Sequence, residues 1–311
     1  MTESTPQPPT EPTYRPFLNG AFVEADEAKI CLDDAGFQHG IGLFETLAVR
    51  HGHAFRKSAH LERLAGSARD LGLAEELDLD ALATAIDKTI EHNHLQEARL
   101  RLTLTAGPIN LLPGRQNARK PLPTLAIQPA PPTNYDPQYF EKGILVLIAP
   151  SHANPLDPTT GHKTLNYWQR LRSLRQAAAA GAGEALWLSV TNHLACGSIS
   201  NIFLVKDGRL LTPIARGEEP QGGLAAPVLP GITRAAVIEC AETAGIPFDR
   251  QMLSIDDLLD ADEVFLTNSG WQVLPVNQIE KETIGEGQAG PITNQLRKAL
   301  LDLIKQEAEQ A

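Results

Sequence analysis

The chain has 311 residues, 42% of them hydrophobic, so it can form one large domain or two smaller ones, each with its own core. Its net charge of −11 argues against a nucleic-acid partner, because binding a phosphate backbone requires clustered lysine and arginine. Three widely spaced cysteines favour a reducing compartment over a disulfide framework or a zinc site. We therefore expect a cytoplasmic protein with a small-molecule ligand, without a metal and without a membrane partner.

The first half of the sequence alternates short β-type runs with helical ones. Residues 1–15 are rich in proline, and we expect them to form a disordered tail. Hairpin turns are predicted at Asn19-Gly20 and around His51-Gly52. Apolar periodicity then predicts two helices and two strands, at 58–73, 79–95, 98–107 and 121–128.

A proline-rich stretch at 131–137 predicts a linker, because consecutive prolines suit an extended connector and cannot continue a helix. It separates a small N-terminal domain, residues 16–130, from a larger C-terminal domain, residues 138–311. The second domain is predicted to contain buried strands, a helix from Lys163 into the glycines near 183, and a hairpin turned at Asp207-Gly208. The predicted class is α+β in two domains.

The stretch "LPGITRAAV" predicts a phosphate site. A Pro-Gly turn leads into a helix, so that free backbone N–H groups at Ile232 and Thr233 and the Thr233 hydroxyl lie at a positive helix end. An ordinary helix N-terminus without a ligand explains the same pattern. The polar turn Thr267, Asn268 and Ser269 has the same ambiguity, since such residues bind anions or merely shape a turn.

Two cationic side chains lie beside apolar helices. Arg63 is lateral to the apolar face of the helix at 58–73, where it either pairs with acidic neighbours at the surface or binds phosphate through its guanidinium fork. Lys163 stands next to His162. Most lysines are solvated, but one in a partly desolvated site beside a cationic neighbour such as His162 is suited to form a Schiff base.

Six motifs, in this order and at these spacings, resemble the class IV aminotransferases, the enzymes of fold type IV that use pyridoxal phosphate. The motifs are "FQHGIGLFETLAV", "HLERL", "HKTLNY", "CGSISNIFLVKDGRLLTP", "LPGITRAAV" and "EVFLTNSGWQVLPV". The resemblance extends from about Phe17 to the C-terminal helix. It implies two α/β domains with pyridoxal 5'-phosphate at their interface and a homodimer that completes each active site.

The resemblance also implies roles for individual residues. Lys163 would hold the cofactor as a Schiff base and move a proton at the substrate Cα. The cofactor would be contacted further by Arg63, Tyr167, Cys196, Ile232, Thr233 and Ser269. The substrate would be contacted by Phe44, Thr46, Arg99, Arg101 and Asn268, with Arg101 as the candidate carboxylate partner. For Arg99 and Arg101, the polar face of an edge strand is the alternative.

Cys196 departs from the family pattern. It occupies the position of a glutamate that pairs with the pyridine nitrogen of the cofactor. A carboxylate keeps that nitrogen protonated, so that the ring withdraws electrons, whereas a neutral thiol cannot do so unless the site stabilises a thiolate. We therefore expect weaker stabilisation of a substrate carbanion, unless another acid takes this role and Cys196 is only a tolerated small residue.

The family offers branched-chain L-amino acid transamination, D-amino acid transamination, and 4-amino-4-deoxychorismate lyase activity, which forms 4-aminobenzoate and pyruvate in folate synthesis. We expect an aminotransferase for a small amino acid and 2-oxo acid pair, with the lyase as the alternative. The motif "FQHGIGLFETLAV" and the turn at 267–269 favour the lyase, whereas Gly40-Ile41-Gly42, where an aspartate is common, disfavours it. An inactive cofactor-binding homologue is the third alternative, because Cys196 replaces the glutamate.

Overall fold

The computed structural model describes residues 14–109 and 122–310. The helices in these ranges are α1 Ala35–His39, α2 Lys57–Asp70, α3 Leu79–His92, α4 Gln138–Lys142, α5 Trp168–Ala179, α6 Ile232–Thr243, α7 Ile255–Leu259 and α8 Pro291–Gln310. The strands are β1 Phe17–Leu18, β2 Ala21–Phe22, β3 Gly42–Arg50, β4 His53–Ala54, β5 Ala98–Thr105, β6 Leu125–Ala130, β7 Ile144–Ala153, β8 Glu184–Ser189, β9 Leu194–Gly197, β10 Asn201–Lys206, β11 Arg209–Pro213, β12 Phe248–Gln251, β13 Glu263–Asn268, β14 Gln272–Ile279 and β15 Glu282–Thr283.

The first sheet contains β1 to β6 in the order β2-β1-β6-β5-β3-β4. Its β5 strand pairs antiparallel with β3 on one side and with β6 on the other. Because side chains alternate along a strand, Leu100 and Leu102 enter a core that also contains Leu61 of α2. The same alternation places Arg99 and Arg101 on the opposite face, away from the helices.

The second sheet has the order β12-β11-β10-β13-β14-β7-β8-β9, with β15 paired to β14. Helices α6 and α8 cover one side, where Val237 and Leu300 belong to the same apolar cluster as Phe203 and Phe265 of β10 and β13. β9 pairs with β8, and β10 pairs with β13. These pairings fix both ends of the turn at 198–200.

A short segment from the second half of the chain pairs with the first sheet. Phe44 N donates to Lys163 O at 2.9 Å, and Leu165 N donates to Gly42 O at 2.9 Å. A Cβ atom on Gly42 would lie 2.7 Å from Leu104 O of β5 and 2.7 Å from Leu165 Cδ1, so glycine leaves room for both neighbours. The pairing holds Lys163 at the boundary between the two sheets.

Most of the predicted elements are confirmed, including the hairpins at Asn19-Gly20, His51-Gly52 and Asp207-Gly208. The start of the helix predicted from Lys163 is wrong. α5 begins at Trp168, because the residues around Thr164 are extended and bridge to β3. The patterns missed the short elements α1, α4, β9, β12 and β15.

The predicted linker region, residues 131–137, contains no helix or strand and lies between β6 and α4. Most of the predicted tail lies outside the described residues. Its last two residues differ from the expectation of disorder, because Arg15 N donates to Asn93 Oδ1 at 2.7 Å and Tyr14 packs against the first core. No helix in the described ranges is both long and apolar enough to span a membrane.

Candidate active site

A cavity of about 460 Å³ lies between the Arg101 face of the first sheet, the turn after β9 and the start of α6. All of the predicted site residues line it, namely Phe44, Thr46, Arg63, Arg99, Arg101, Lys163, Tyr167, Cys196, Ile232, Thr233, Asn268 and Ser269. The fold therefore brings together residues that are far apart in the sequence.

One end of the cavity is formed by the N-terminus of α6. Its N-cap residue, Gly231, has no side chain to bind the first-turn N–H groups, so those of Ile232 and Thr233 are available to a ligand. Asn201 Nδ2 donates to Leu229 O at 2.9 Å and ties this turn to β10. A Cβ atom on Gly231 would lie 1.9 Å from Asn201 Oδ1, so the close packing of the turn requires glycine.

Arg63 is held at this end by a buried carboxylate. Its Nε and Nη2 atoms donate to the two oxygens of Glu45 at 2.9 and 2.5 Å, and Nη1 donates to Pro230 O at 2.8 Å. His60 Nδ1 lies 2.7 Å from Glu45 Oε2. Burial alone would raise the pKa of Glu45, but the Arg63 charge and the His60 hydrogen bond lower it to about 2. The carboxylate therefore orients the guanidinium toward the cavity.

Glu45 and His60 were not predicted as site residues. The signal was present in "LFETL", because strand alternation places Glu45 on the same face as Leu43 and Leu47, which are in the core. A buried carboxylate requires a charged or hydrogen-bonding partner. Arg63, on the helix that covers this face, is that partner.

Lys163 occupies the middle of the cavity. Its Nζ atom lies 4.2 Å from the centroid of the Phe44 ring, and Tyr167 packs edge-on against the same ring at 5.1 Å. In the described part of the chain, Lys163 Nζ has no carboxylate partner within ion-pair distance. The expectation that His162 is cationic is wrong, because burial lowers the pKa of this imidazole, which contacts Ser67 Oγ at 2.9 Å.

Arg101 lines another part of the cavity wall. Its guanidinium lies 3.8 Å from the centroid of the Phe44 ring, and burial lowers its pKa. Among the described residues it makes no hydrogen bond and no ion pair, so it is a partly desolvated cation without an anion. The edge-strand explanation of Arg99 and Arg101 is wrong, because β5 lies between β3 and β6.

The small polar residues after Cys196 gather around a buried carboxylate. Glu184 accepts from Ser198 N at 3.1 Å, Ile199 N at 3.2 Å and Ser200 Oγ at 2.8 Å. A Cβ atom on Gly197 would lie 2.7 Å from Glu184 Oε2. Burial raises the pKa of Glu184. The Glu184 carboxylate stabilises the turn through these hydrogen bonds and does not line the cavity. It therefore cannot replace the glutamate that the family resemblance implies at position 196.

Arg170 is the side chain that the sequence analysis missed beside Cys196. Its Nη1 atom lies 3.4 Å from Cys196 Sγ and donates to Gly197 O at 3.1 Å. Helical spacing offered a signal, because positions 170, 173 and 177 share one face of α5, and Ser173 and Ala177 are buried. An arginine on that face had to meet polar groups inside the protein.

The donor set fits a phosphorylated pyridine aldehyde. Its phosphate would meet the start of α6, Arg63 and the hydroxyl groups near Ser269, and its aldehyde would meet Lys163. Thr267 Oγ1 is buried in the cavity wall without a hydrogen-bond partner among the described residues, as expected where a polar ligand supplies one. Asn268 has less freedom to bind a ligand, because its Oδ1 accepts from Gly270 N at 2.8 Å.

Comparison with known proteins identifies the fold and the enzyme class. The family model for amino-transferase class IV matches residues 42–279. The chain belongs to this family. Its aminotransferase class and its fold, that of the type IV pyridoxal phosphate enzymes, are confirmed.

Two curated relatives are similar over almost the whole chain. A putative branched-chain-amino-acid aminotransferase of Methanocaldococcus jannaschii is 31% identical, over 92% of this chain and 95% of its own. A D-alanine aminotransferase of Staphylococcus aureus is 30% identical, over 91% of this chain and 95% of its own. Both names describe an aminotransferase, but the named substrates differ: branched-chain amino acids for the first and D-alanine for the second.

Two solved structures share the fold. The branched-chain amino acid aminotransferase of Escherichia coli superimposes with a TM-score of 0.84 at 28% identity, over 94% of this chain and 95% of that one. The 4-amino-4-deoxychorismate lyase of Pseudomonas aeruginosa gives a TM-score of 0.78 at 28% identity, over 92% of this chain and 98% of that one. Together with the curated aminotransferase relatives, these matches favour an aminotransferase over the lyase.

Proposed function

We propose that this class IV aminotransferase binds pyridoxal 5'-phosphate in the described cavity and acts, as a cytoplasmic homodimer, on a small amino acid and its 2-oxo acid partner. The observation that carries the proposal is that one cavity contains Lys163, an arginine held toward an uncapped helix start, and a second arginine without an anionic partner among the described residues. These groups suit an amine-reactive cofactor with a phosphate and a substrate with a carboxylate.

The phosphate end of the cavity anchors the cofactor. Arg63 supplies charge and directed N–H donors, and the first turn of α6 supplies backbone N–H groups and a partial positive charge. Glu45 removes the freedom of the Arg63 side chain before binding, which lowers the entropic cost of binding. The bound cofactor supplies the carbonyl that accepts the amino group and the ring that withdraws electrons from the substrate.

Lys163 is the acid and base for the reaction. It is the one lysine among the described residues that line the cavity. Its Nζ atom is the group that can remove a proton from the substrate Cα and pass it to the cofactor carbon that carried the aldehyde. Backbone pairing of Lys163 with Phe44 holds this side chain in place.

Arg101 is the proposed partner of the substrate carboxylate. A half-buried guanidinium without an anion gains a charge-assisted hydrogen bond when a carboxylate enters. The side chains of Phe44, Tyr135, Leu165 and Leu171 line the same space, which gives the substrate side chain apolar contacts. This combination favours a small amino acid with a largely apolar side chain.

Exposed apolar residues near the cavity support the proposed homodimer. Trp168 and Leu171 of α5 are 79% and 49% exposed, and Phe37 of α1 is 68% exposed. α1 ends close to the start of α5, since Gly40 approaches Asn166. Exposed aromatic and aliphatic groups clustered at one site are typical of an interface. Light scattering on the purified protein tests this, and a strictly monomeric species would contradict it.

The visible spectrum of the purified protein tests the cofactor. We expect a bound-cofactor absorption band that disappears in Lys163→Ala, with at least a thousandfold loss of transamination. A protein that takes up no pyridoxal phosphate would overturn the proposed function.

A substrate panel then separates the activities. Transamination of L- and D-amino acids with 2-oxoglutarate or pyruvate is measured beside release of pyruvate and 4-aminobenzoate from aminodeoxychorismate. We expect amino transfer to exceed lyase turnover. The opposite ratio would assign the lyase reaction, and bound cofactor without either activity would indicate an inactive homologue.

A further inference from the structure

The charged side chains that line the cavity are all cationic. Arg63, Arg99, Arg101, Lys163 and Arg170 line it, and none of the described lining residues is aspartate or glutamate. The whole chain carries a net charge of −11, so this positive charge is a local feature. A cofactor phosphate and a substrate carboxylate would compensate part of it, at the two positions assigned to Arg63 and Arg101.

Arg170 has no such anion in the described chain. Its Nη1 atom contacts Cys196 Sγ at 3.4 Å and two carbonyl oxygens, those of Gly197 at 3.1 Å and Ser198 at 3.4 Å. Its guanidinium also lies 5.4 Å from the centroid of the Trp187 ring. These contacts hold a permanent charge beside the thiol, at the position where the family resemblance implies a carboxylate.

We propose that Arg170 keeps the pyridine nitrogen of the bound cofactor unprotonated. The inference rests on the proposed function, because the family resemblance places Cys196 beside that nitrogen. A guanidinium donates hydrogen bonds and cannot accept a proton, and Cys196 Sγ accepts from Arg170 Nη1, so negative charge on this sulfur would be paired with Arg170 rather than with a pyridinium. A neutral pyridine nitrogen accepts from such groups, whereas a pyridinium would place a second positive charge beside Arg170.

The other titratable groups around the cavity do not reverse this preference. Glu184 is fully buried behind the turn and is occupied by four donors. His162 also lines the cavity, but burial lowers its pKa and favours the neutral ring. Tyr167 also lines the cavity, but its side chain is a phenol and not a carboxylate. The described wall therefore contains several cations and no carboxylate that could stabilise a protonated ring.

A neutral ring withdraws electrons from the substrate Cα less strongly than a protonated one. The rate then depends more strongly on Lys163, which must take the proton from Cα and pass it on to the cofactor carbon before much negative charge builds up. Arg170 is a positioning residue in this account, because it acts through Cys196 and through the charge that it places beside the ring.

The direct test is ¹⁵N NMR of holoenzyme reconstituted with pyridoxal phosphate labelled at the ring nitrogen, recorded from pH 6 to pH 9. We expect the resonance of the unprotonated pyridine across this range. In Cys196→Glu, the resonance should move to the pyridinium position. In Arg170→Met, the midpoint for protonation should rise by about one to two pH units. A pyridinium resonance in the unmodified protein would overturn the proposal.

Two further variants separate charge from structure. Arg172→Met removes an exposed arginine on the same helix and should leave the resonance unchanged. Arg170→Lys keeps the charge but loses the planar fork, so it should disturb the turn while keeping the nitrogen unprotonated. If Arg170→Lys protonates the ring as Arg170→Met does, the role of Arg170 is structural and the proposal fails.

The outcomes distinguish this proposal from the proposed function. A protein that takes up cofactor through Lys163 but shows a pyridinium resonance overturns only the role of Arg170. A protein that takes up no cofactor overturns both. If Arg170→Met does not fold, Arg170→Gln, which keeps hydrogen-bond donors without the charge, takes its place, and an unchanged midpoint in Arg170→Gln overturns the proposal.

Discussion

The arginines at the two ends of the cavity differ in their partners: one is paired with a carboxylate, and the other has no carboxylate partner among the described residues. At the phosphate end, Arg63 is paired with Glu45 through two hydrogen bonds, and the carboxylate is also in contact with His60. At the other end, Arg170 contacts a thiol and backbone carbonyl groups, and the nearby Glu184 points into a turn. The first end has a charge network that orients a cation. The second has a cation without a carboxylate partner.

The difference indicates that binding and electronic activation are separable in this fold. Phosphate binding needs a fixed cation and free N–H groups, and these depend on buried contacts such as that between Arg63 and Glu45. Electron withdrawal by the ring would depend instead on the groups beside its nitrogen, which are Cys196 and Arg170 in our proposal. Substitution at Cys196 can therefore alter the reaction without disturbing the anchor.

The largest effect is expected from breaking the phosphate end with Glu45→Gln. The pKa of Glu45 is about 2 in the folded chain, against an ordinary value of 4.5. A lowered pKa stabilises the fold at pH values above 4.5, and this stabilisation is lost as the pH falls from 4.5 toward 2. We expect Glu45→Gln to lower the free energy of unfolding at pH 7 by about 3 kcal/mol. Denaturant unfolding from pH 2 to 7 measures both effects.

In Glu45→Gln, the affinity for the cofactor should also fall, by about a hundredfold, because Arg63 is no longer oriented. Glu62→Gln, an exposed position on the same helix, is the matched control and should change neither quantity. Equal effects from the two variants would show that Glu45 has no special role in holding Arg63.

The contacts between Glu45, Arg63 and His60 also show how much of the site could be predicted from the sequence. The order of the motifs identified the family, and the resemblance supplied a set of site residues that all line the cavity. Local patterns also pointed to Lys163, Arg63 and Thr233, because each lies beside or at the start of a predicted helix. Partners across elements were not predictable. Glu45 on β3 meets Arg63 on α2, and Glu184 on β8 supports the turn at Ser198, only after the chain has folded.

The error at Lys163 has a related cause. Helical periodicity extends from Thr164 into α5, and nothing local indicates that this stretch is needed as a partner for β3. Tertiary hydrogen bonding therefore overrode helix propensity at the residue most important for the chemistry.

A smaller effect is expected at Arg101, in the part of the cavity wall where we place the substrate carboxylate. Arg101→Gln removes the half-buried cation assigned to the carboxylate, and loss of a charge-assisted hydrogen bond costs about 2 kcal/mol. We expect KM for the amino acid to rise about 30-fold, with a smaller change in kcat. Steady-state kinetics with Arg99→Gln as the control checks this, because Arg99 is exposed and should matter about threefold at most. A larger effect at Arg99 would transfer the carboxylate role to that residue.

The smallest effect, a gain, is expected at the ring-nitrogen end. Cys196→Glu introduces a carboxylate beside Arg170, so the ring nitrogen can be protonated and the ring withdraws electrons more strongly. We expect transamination to become about tenfold faster, which corresponds to about 1.4 kcal/mol of transition-state stabilisation. Cys196→Gln has nearly the same shape without the charge and should not accelerate the reaction. If both variants are slower than the unmodified protein, the site has adapted to the thiol, and the weak electron withdrawal does not limit turnover.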